Sequence, residues 1–214
     1  SLSSKNTGMS IGKKVGLVRK ILLKNKADFL LVTAPENVAW ILNIRGHDSS
    51  HSPIPNSRLL ISKKSLDMFA NPKKLIKIKK IFKKKIRIHD ESKIDNIIKH
   101  ISKKTIWLDS SSCSFYLKNI LKRRNNIVEK IDPIHFFKSV KNNTEIKNMK
   151  RSHLIDGVAL TKFLFWVKKN FKRKKITEIS AQKKLESFRK LHYSYKFPSF
   201  NTISGAGPNS SIIH

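Results

Sequence analysis

The chain has 214 residues, 39% of them hydrophobic, and a formal net charge of +32. This length and apolar content allow one large domain or two smaller ones, and they argue against an intrinsically disordered chain. No apolar run approaches the roughly 18–20 residues that span a bilayer, so no membrane partner is expected. Cys113 is the single cysteine, which excludes an internal disulfide framework and favours a cytoplasmic protein.

The positive charge comes mainly from lysine, which occupies 37 of the 46 basic positions. Basic residues occur in every segment, and the basic runs lack the interleaved aromatic residues that stack on nucleic-acid bases. This pattern favours a solvated lysine surface, so no specific nucleic acid is expected as a partner. Weak, salt-sensitive binding to polyanions is still expected of such a surface.

Residues 1–9 are predicted to be disordered or a linker, and residues 10–131 alternate between helical and strand-like patterns. Helices are predicted at 11–22, 38–42, 75–82, 94–101 and 115–121, and strands at 29–33, 58–62, 66–70, 86–88 and 105–108. Asp109 and the serines that follow it are predicted to cap the helix at 115–121. Strands alternating with helices predict a mixed α/β layer fold.

A second domain is predicted over residues 132–214, because Asp132-Pro133 interrupts the pattern and two long helices follow. Apolar residues recur at helical spacing for about seven turns, on a face formed by Ile146, Met149, His153, Leu160, Leu164 and Val167. A lysine-rich loop then precedes a second helix capped by Thr177, with Ala181, Leu185 and Phe188 facing inward. A strand-and-turn segment completes the sequence from Phe197 to His214.

Four segments of the chain resemble aminopeptidase P in order and spacing, and together they cover most of residues 10–214. They are VTAPENVAWILNIRGHD (32–48), SVKNNTEIKNMKRSHLIDGVAL (139–160), ITEISAQKKLESFRK (176–190) and FPSFNTISGAGPNSSIIH (197–214). The resemblance implies an Xaa-Pro aminopeptidase of the three-domain kind. Residues 10–131 would be its creatinase-N-like middle domain, an α/β unit with a mixed sheet flanked by helices. Residues 132–214 would be the truncated opening of a pita-bread α+β catalytic domain, with its first helices and strands.

The resemblance also implies a reaction and its cofactors. Family members hydrolyse the bond between an N-terminal residue and a following proline, using two divalent metal ions that are typically manganese. The five ligands of those ions lie downstream of the segment that ends in His214, so no metal is assigned to this chain, which alone is predicted to be inactive. The implied partner is a peptide with proline in second position, and a homodimer is left open.

Two residues of the last segment acquire expected roles through the resemblance. His214 matches the family's active-site histidine that is not a metal ligand and that hydrogen-bonds substrate near the scissile peptide. Phe200 matches an aromatic position lining the pocket for the substrate's proline. The sequence departs from the family at Ser210-Ser211, where Gly-Ala is usual. From the residues alone, His214 would be a structural strand-end histidine and Phe200 a core aromatic.

Other signals are weaker. His47, Asp48 and His51 have a spacing seen in some metal sites, but prolines make this an irregular loop and no further ligand cluster accompanies them. Cys113 lies near a predicted helix start, which would favour its thiolate, although no partner base is evident. Arg45 would form a salt bridge or face the active site. The alternative function is a non-catalytic, pita-bread-derived module that binds peptides or proteins, which downstream acidic ligands would exclude.

Overall fold

The computed structural model describes residues 2–82, 86–173 and 175–211. The chain forms two compact units. The first comprises Ser1–Ser49 and Pro53–Thr144, and the second comprises Ser50–Ser52 and Glu145–His214. In the described ranges, no helix is long and apolar enough to cross a membrane.

The first unit contains the sheet and seven of the helices that the described residues form. Its helices are α1 (Ser4–Thr7), α2 (Ile11–Lys24), α3 (Pro35–Ile41), α4 (Pro72–Phe82), α5 (Ile94–Lys99), α6 (Phe115–Lys122) and α7 (Pro133–Ser139). Its strands are β1 (Phe29–Val32), β2 (Ser57–Ser62), β3 (Leu66–Ala70), β4 (Arg87–Asp90), β5 (Thr105–Leu108) and β6 (Asn126–Glu129). Serine side chains cap the N-termini of two of these helices. In α2 the Ser10 hydroxyl accepts from the Lys13 amide, and in α6 the Ser114 hydroxyl accepts from the Leu117 amide.

The six strands form one sheet in the order β4-β3-β2-β1-β5-β6. β2 pairs antiparallel with both β1 and β3, whereas the outer pairings β3–β4, β1–β5 and β5–β6 are parallel. The sheet is therefore mixed, with β1 at its centre between an antiparallel and a parallel neighbour. The predicted α/β class, with a mixed sheet flanked by helices, is confirmed.

Two apolar clusters cover the two faces of this sheet. In β1 the side chains alternate, so that Leu30 and Val32 join one cluster while Leu31 joins the other. The first cluster receives residues from α2, α3, α4 and α7, and the second from α5 and α6. The first unit is thus a three-layer arrangement with helices on both faces of the sheet.

Two expectations for the first unit are corrected. The N-terminal residues are ordered rather than a disordered linker, because Thr7 is buried in α1 and the Leu2 amide donates to the Asn43 carbonyl at 2.7 Å. The compact unit extends to Thr144, whereas the sequence places a boundary before Asp132. Asp132 and Ile134 are buried, and α7 packs against α3, which ties this segment to the sheet domain.

The second unit contains two long helices, α8 (Asn143–Asn170), whose first two residues still belong to the first unit, and α9 (Glu178–Lys190). The long first helix and the Thr177 cap of the second are as predicted. The expected strand near the C-terminus is absent from the described part of this unit, where Gly207–Ser211 forms a 3-10 turn. A strand requires a hydrogen-bonded neighbour, and none of the described residues of this unit provides one.

Candidate functional site

The segment predicted to carry the chemistry lies in the second unit, in the irregular stretch after α9. Phe200 is 65% exposed there, so in this structure it contributes neither to a core nor to an enclosed pocket. His214 lies outside the described residues. What the structure does describe is how the turn that precedes His214 is held.

Glu178, at the start of α9, anchors this turn. Its Oε1 atom accepts a hydrogen bond from the Ala206 amide at 2.7 Å and another from the Asn209 side-chain amide at 3.1 Å. One carboxylate oxygen therefore holds both a backbone and a side-chain donor of the turn. Hydrogen bonds to an ionised acceptor are among the stronger ones, so this contact fixes the turn relative to the helix.

Two glycines make the turn possible. Gly207 has a φ of +57°, a left-handed conformation that residues with a side chain rarely adopt. A Cβ atom on Gly205 would lie 2.9 Å from the Cα of Ser210, closer than such atoms approach in proteins. Gly205-Ala206-Gly207 therefore forms a tight turn in which the backbone approaches closely.

The start of α9 is itself fixed by a capping box. The Thr177 hydroxyl accepts from the Ser180 amide at 3.2 Å, and the Ser180 hydroxyl accepts from the Thr177 amide at 2.9 Å. These reciprocal bonds fix the backbone at the start of α9, and with it the position of Glu178, the residue that follows Thr177. The Thr177 cap is predictable from the sequence, but the role of Glu178 is not, because no local pattern links an acidic residue in a first turn to a loop that far downstream.

Farther along, α9 is joined to α8 by an ion pair. Arg189 donates through Nε to Asp156 Oδ1 at 2.6 Å and through Nη2 to Oδ2 at 3.1 Å. Lys184 lies over the Trp166 ring, 5.7 Å from its centroid. A cleft of about 420 Å³ lies beside these residues, lined in part by Trp166, Ile176 and Lys183. Neither Phe200 nor the 205–209 turn lines this cleft.

The remaining candidate residues have structural partners. Asp48 accepts from the Asn56 amide at 2.6 Å and is ion-paired with Lys74. His51 Nδ1 lies 3.2 Å from the Pro198 carbonyl oxygen, and Arg45 donates to the Ile44 carbonyl at 2.8 Å. In the described ranges, no group of three or more His, Cys, Asp or Glu residues is placed to hold a metal ion.

The Cys113 thiolate, which a helix start would favour, is disfavoured by the surroundings of this residue. Burial raises the pKa of the Cys113 thiol to about 11, and the nearby Arg58 and Lys118 only partly oppose this. The favourable helix-start effect is missing because Ser114, not Cys113, caps α6, and Cys113 packs against the apolar cluster on that face. The thiol is therefore protonated near neutral pH, which does not suit a nucleophile.

Comparison with known protein families agrees with this architecture. The family model "Creatinase/Prolidase N-terminal domain" matches residues 1–145. This chain belongs to that family. A second model, "Metallopeptidase family M24", matches residues 147–214. The two matches meet close to the division between the compact units at Thr144 and Glu145.

The relatives that align with the whole of this chain include Xaa-Pro aminopeptidases. Xaa-Pro aminopeptidase 1 of Dictyostelium discoideum is 36% identical over 220 residues, covering 100% of this chain and 35% of the relative. Xaa-Pro aminopeptidase ApepP of Drosophila melanogaster is 35% identical over 222 residues, covering 100% of this chain and 36% of the relative. The chain thus spans about a third of the length of the curated relatives it matches.

A solved structure gives the same result. The X-prolyl aminopeptidase of Caenorhabditis elegans, a cytosolic enzyme with a di-nuclear active site, superposes with a TM-score of 0.86 at 28% identity. The alignment covers 94% of this chain and 34% of that enzyme. The resemblance to aminopeptidase P that the four sequence segments carry is confirmed by these matches.

Proposed function

We propose that this chain is a fragment of a dinuclear-metal Xaa-Pro aminopeptidase, which hydrolyses the peptide bond between an N-terminal residue and proline. The observation that carries the proposal is the match to Xaa-Pro aminopeptidase 1, at 36% identity along the whole of this chain. A cytoplasmic location and manganese as the metal belong to the same proposal.

The residues of this chain would contribute one wall of the active site. In the proposal, Glu178 holds the 205–209 turn and thereby positions the residues that follow it, including His214. His214 would donate a hydrogen bond to the substrate near the scissile peptide and stabilise the charge that develops there. Phe200 would line the pocket that receives the proline ring.

The metal ions would be held by other residues of the whole protein. Within the described ranges the carboxylates are dispersed or engaged in ion pairs, as Asp48 and Asp156 are, and form no cluster that fits a two-metal site. It follows from the proposal that the 214-residue chain alone does not turn over substrate.

The test compares two proteins in a peptidase assay with an Xaa-Pro peptide and manganese: the 214-residue chain, and the product of the encoding gene read through the downstream region. We expect turnover only from the longer protein, and a large loss of kcat on His214→Ala. If the 214-residue chain turns over substrate and His214→Ala abolishes this turnover, the proposal that the metal ligands lie outside this chain is refuted. A longer protein without two Asp, one His and two Glu downstream would leave the non-catalytic binding module as the better answer.

A further inference from the structure

The stretch that begins in α4 and runs past its end is rich in lysine. Eight of the thirteen residues from Lys73 to Lys85 are lysines, and this stretch contains no acidic residue. Basic residues occur in every segment, but their density in this stretch is well above the average of the chain, which has 46 basic residues in 214. A basic surface of this kind attracts anions at short range.

The inner face of α4 is already occupied. Phe82 is buried and Ile78 is packed against the same apolar cluster, which covers one face of the sheet. The helix is also anchored near its N-terminus, because Lys74 is ion-paired with Asp48. The packing of the first unit therefore explains the apolar side chains on this side of the helix and leaves the opposite side to be explained.

The outer face of α4 carries apolar side chains between its lysines. Ile76 is 70% exposed and Ile81 is 42% exposed, and Lys73, Lys79 and Lys80 are exposed as well. A helix that presents isoleucines among lysines to solvent has the composition of a segment that lies in the plane of an anionic membrane. The isoleucines would enter the interface while the lysines meet the lipid phosphates.

We propose that the outer face of α4, formed by Lys73, Ile76, Lys79, Lys80 and Ile81, binds the surface of an anionic lipid bilayer. A nucleic acid is a poorer fit, because this face has no aromatic side chain to stack on bases and no arginine to grip a phosphate with two hydrogen bonds. The expectation of no membrane partner rests on the lack of an apolar span, which concerns insertion and not surface binding.

The experiment measures partition of the 214-residue chain onto sedimented vesicles of pure phosphatidylcholine and of phosphatidylcholine with 30% phosphatidylserine, in about 100 mM salt. We expect binding only to the anionic vesicles. The triple variant Lys73→Gln, Lys79→Gln, Lys80→Gln should bind about fivefold more weakly for each lysine removed, on the order of 100-fold in total. The variant Ile76→Ser should also weaken vesicle binding without changing net charge.

A matched control removes the same charge elsewhere. Lys147, Lys150 and Lys162 are exposed on α8, and their replacement by glutamine leaves the α4 face intact. Equal losses in the two triple variants would overturn the proposal in favour of nonspecific attraction. Binding to a single-stranded RNA that matches the vesicle binding and is unaffected by Ile76→Ser, or no binding to the anionic vesicles, would also overturn it. Circular dichroism confirms that each variant is folded.

Discussion

At the scale of single residues, Asp67 in β3 is a buried acidic group within the sheet. It is 3% exposed, and Arg87 Nε and Nη2 each donate to it at 2.6 Å, while His89 Nε2 lies 2.8 Å from its Oδ1. Burial alone would raise the pKa of Asp67, but the contacts with Arg87 and His89 outweigh it, and the pKa is lowered from 3.8. The ionised carboxylate therefore links β3 to the edge strand β4.

Asp67→Asn is expected to lower the free energy of unfolding by about 2 kcal/mol at pH 7, because Arg87 loses its charged partner. An acid with a lowered folded-state pKa contributes stability above its unfolded pKa, and this is lost as the pH falls through the folded value. The difference between wild type and variant in urea unfolding should therefore shrink below about pH 4. A constant difference from pH 7 to pH 3 would contradict this. Asp95→Asn, at a carboxylate that accepts from the exposed Tyr116 hydroxyl, is the control.

Glu178 gives a second prediction at this scale. Glu178→Ala removes the acceptor of the Ala206 amide, so hydrogen exchange at that amide should accelerate about tenfold, as expected for loss of a bond to a charged group. Glu178→Gln retains a carbonyl acceptor and should preserve most of the protection. Glu186→Ala removes a carboxylate of α9 that contacts Lys190 and Tyr195, and serves as the control. Exchange of the Ala206 amide at the wild-type rate in Glu178→Ala would show that Glu178 does not hold the turn.

At the scale of elements, the sequence predicted those whose apolar pattern is strong. The helix of α2 and the strands β1, β2, β3 and β5 were predictable because their apolar residues follow helical or extended spacing and are buried accordingly. β6 was missed because only Ile127 and Val128 separate its flanking polar residues. Periodicity also could not predict that Lys14 is buried within α2, since its ammonium is held by distant partners, the Trp40 carbonyl at 2.9 Å and Asn43 Oδ1 at 2.7 Å.

The predicted apolar face of α8 illustrates a different limit. Ile146, Met149, Leu160 and Leu164 do recur at helical spacing, yet all four are exposed, and Ala159 is the buried residue of the described helix. A hydrophobic stripe shows which side of a helix can be covered, but not whether the covering surface is present. The candidate site is similar. Its turn was predictable from the local glycines, whereas the contact with Glu178 was not, because it joins residues far apart in sequence.

The contact between α3 and α7 also provides a prediction. The Asn37 side-chain amide donates to Asp132 Oδ2 at 2.8 Å, and the Ile134 amide donates to Oδ1 at 2.8 Å. Burial raises the pKa of Asp132 above 3.8, although both hydrogen bonds oppose the shift. An acid with a raised folded-state pKa contributes stability below its unfolded value, and the contribution is lost as the pH rises through the folded value.

Asp132→Asn should therefore cost less than about 0.5 kcal/mol at pH 7, since its carbonyl can accept from Ile134 and rotation of the Asn37 amide can restore the second bond. Asp132→Ala should cost about 2 kcal/mol, because it leaves buried donors unpaired. The stability of the asparagine variant relative to wild type should improve from pH 3 to pH 7 in chemical denaturation. A relative stability that worsens over this range would show that Asp132 is stabilised as an anion.

At the scale of the whole molecule, the two compact units are stabilised to different extents. The first has apolar clusters on both faces of its sheet, whereas in the described part of the second only Ala159 among the hydrophobic residues is buried. Amides of α8 and α9 are therefore expected to exchange hydrogen much faster than those of β1, β2 and β5. Residues 132–144 should be protected together with the sheet. Mass spectrometry of exchanged peptides tests this, and uniform protection along the chain would contradict it.

The position of β1 between β2 and β5 also affects the order in which its two pairings can form during synthesis. Phe29 pairs with Ser62 on one side and with Ile106 on the other, so the antiparallel neighbour is synthesised long before the parallel one. The meander β1-β2-β3 can therefore form while the edge of β1 that later pairs with β5 has no hydrogen-bonded neighbour. Until Thr105–Leu108 arrives, that edge presents unpaired backbone groups beside Leu30, Leu31 and Val32, which is the kind of surface through which nascent chains aggregate.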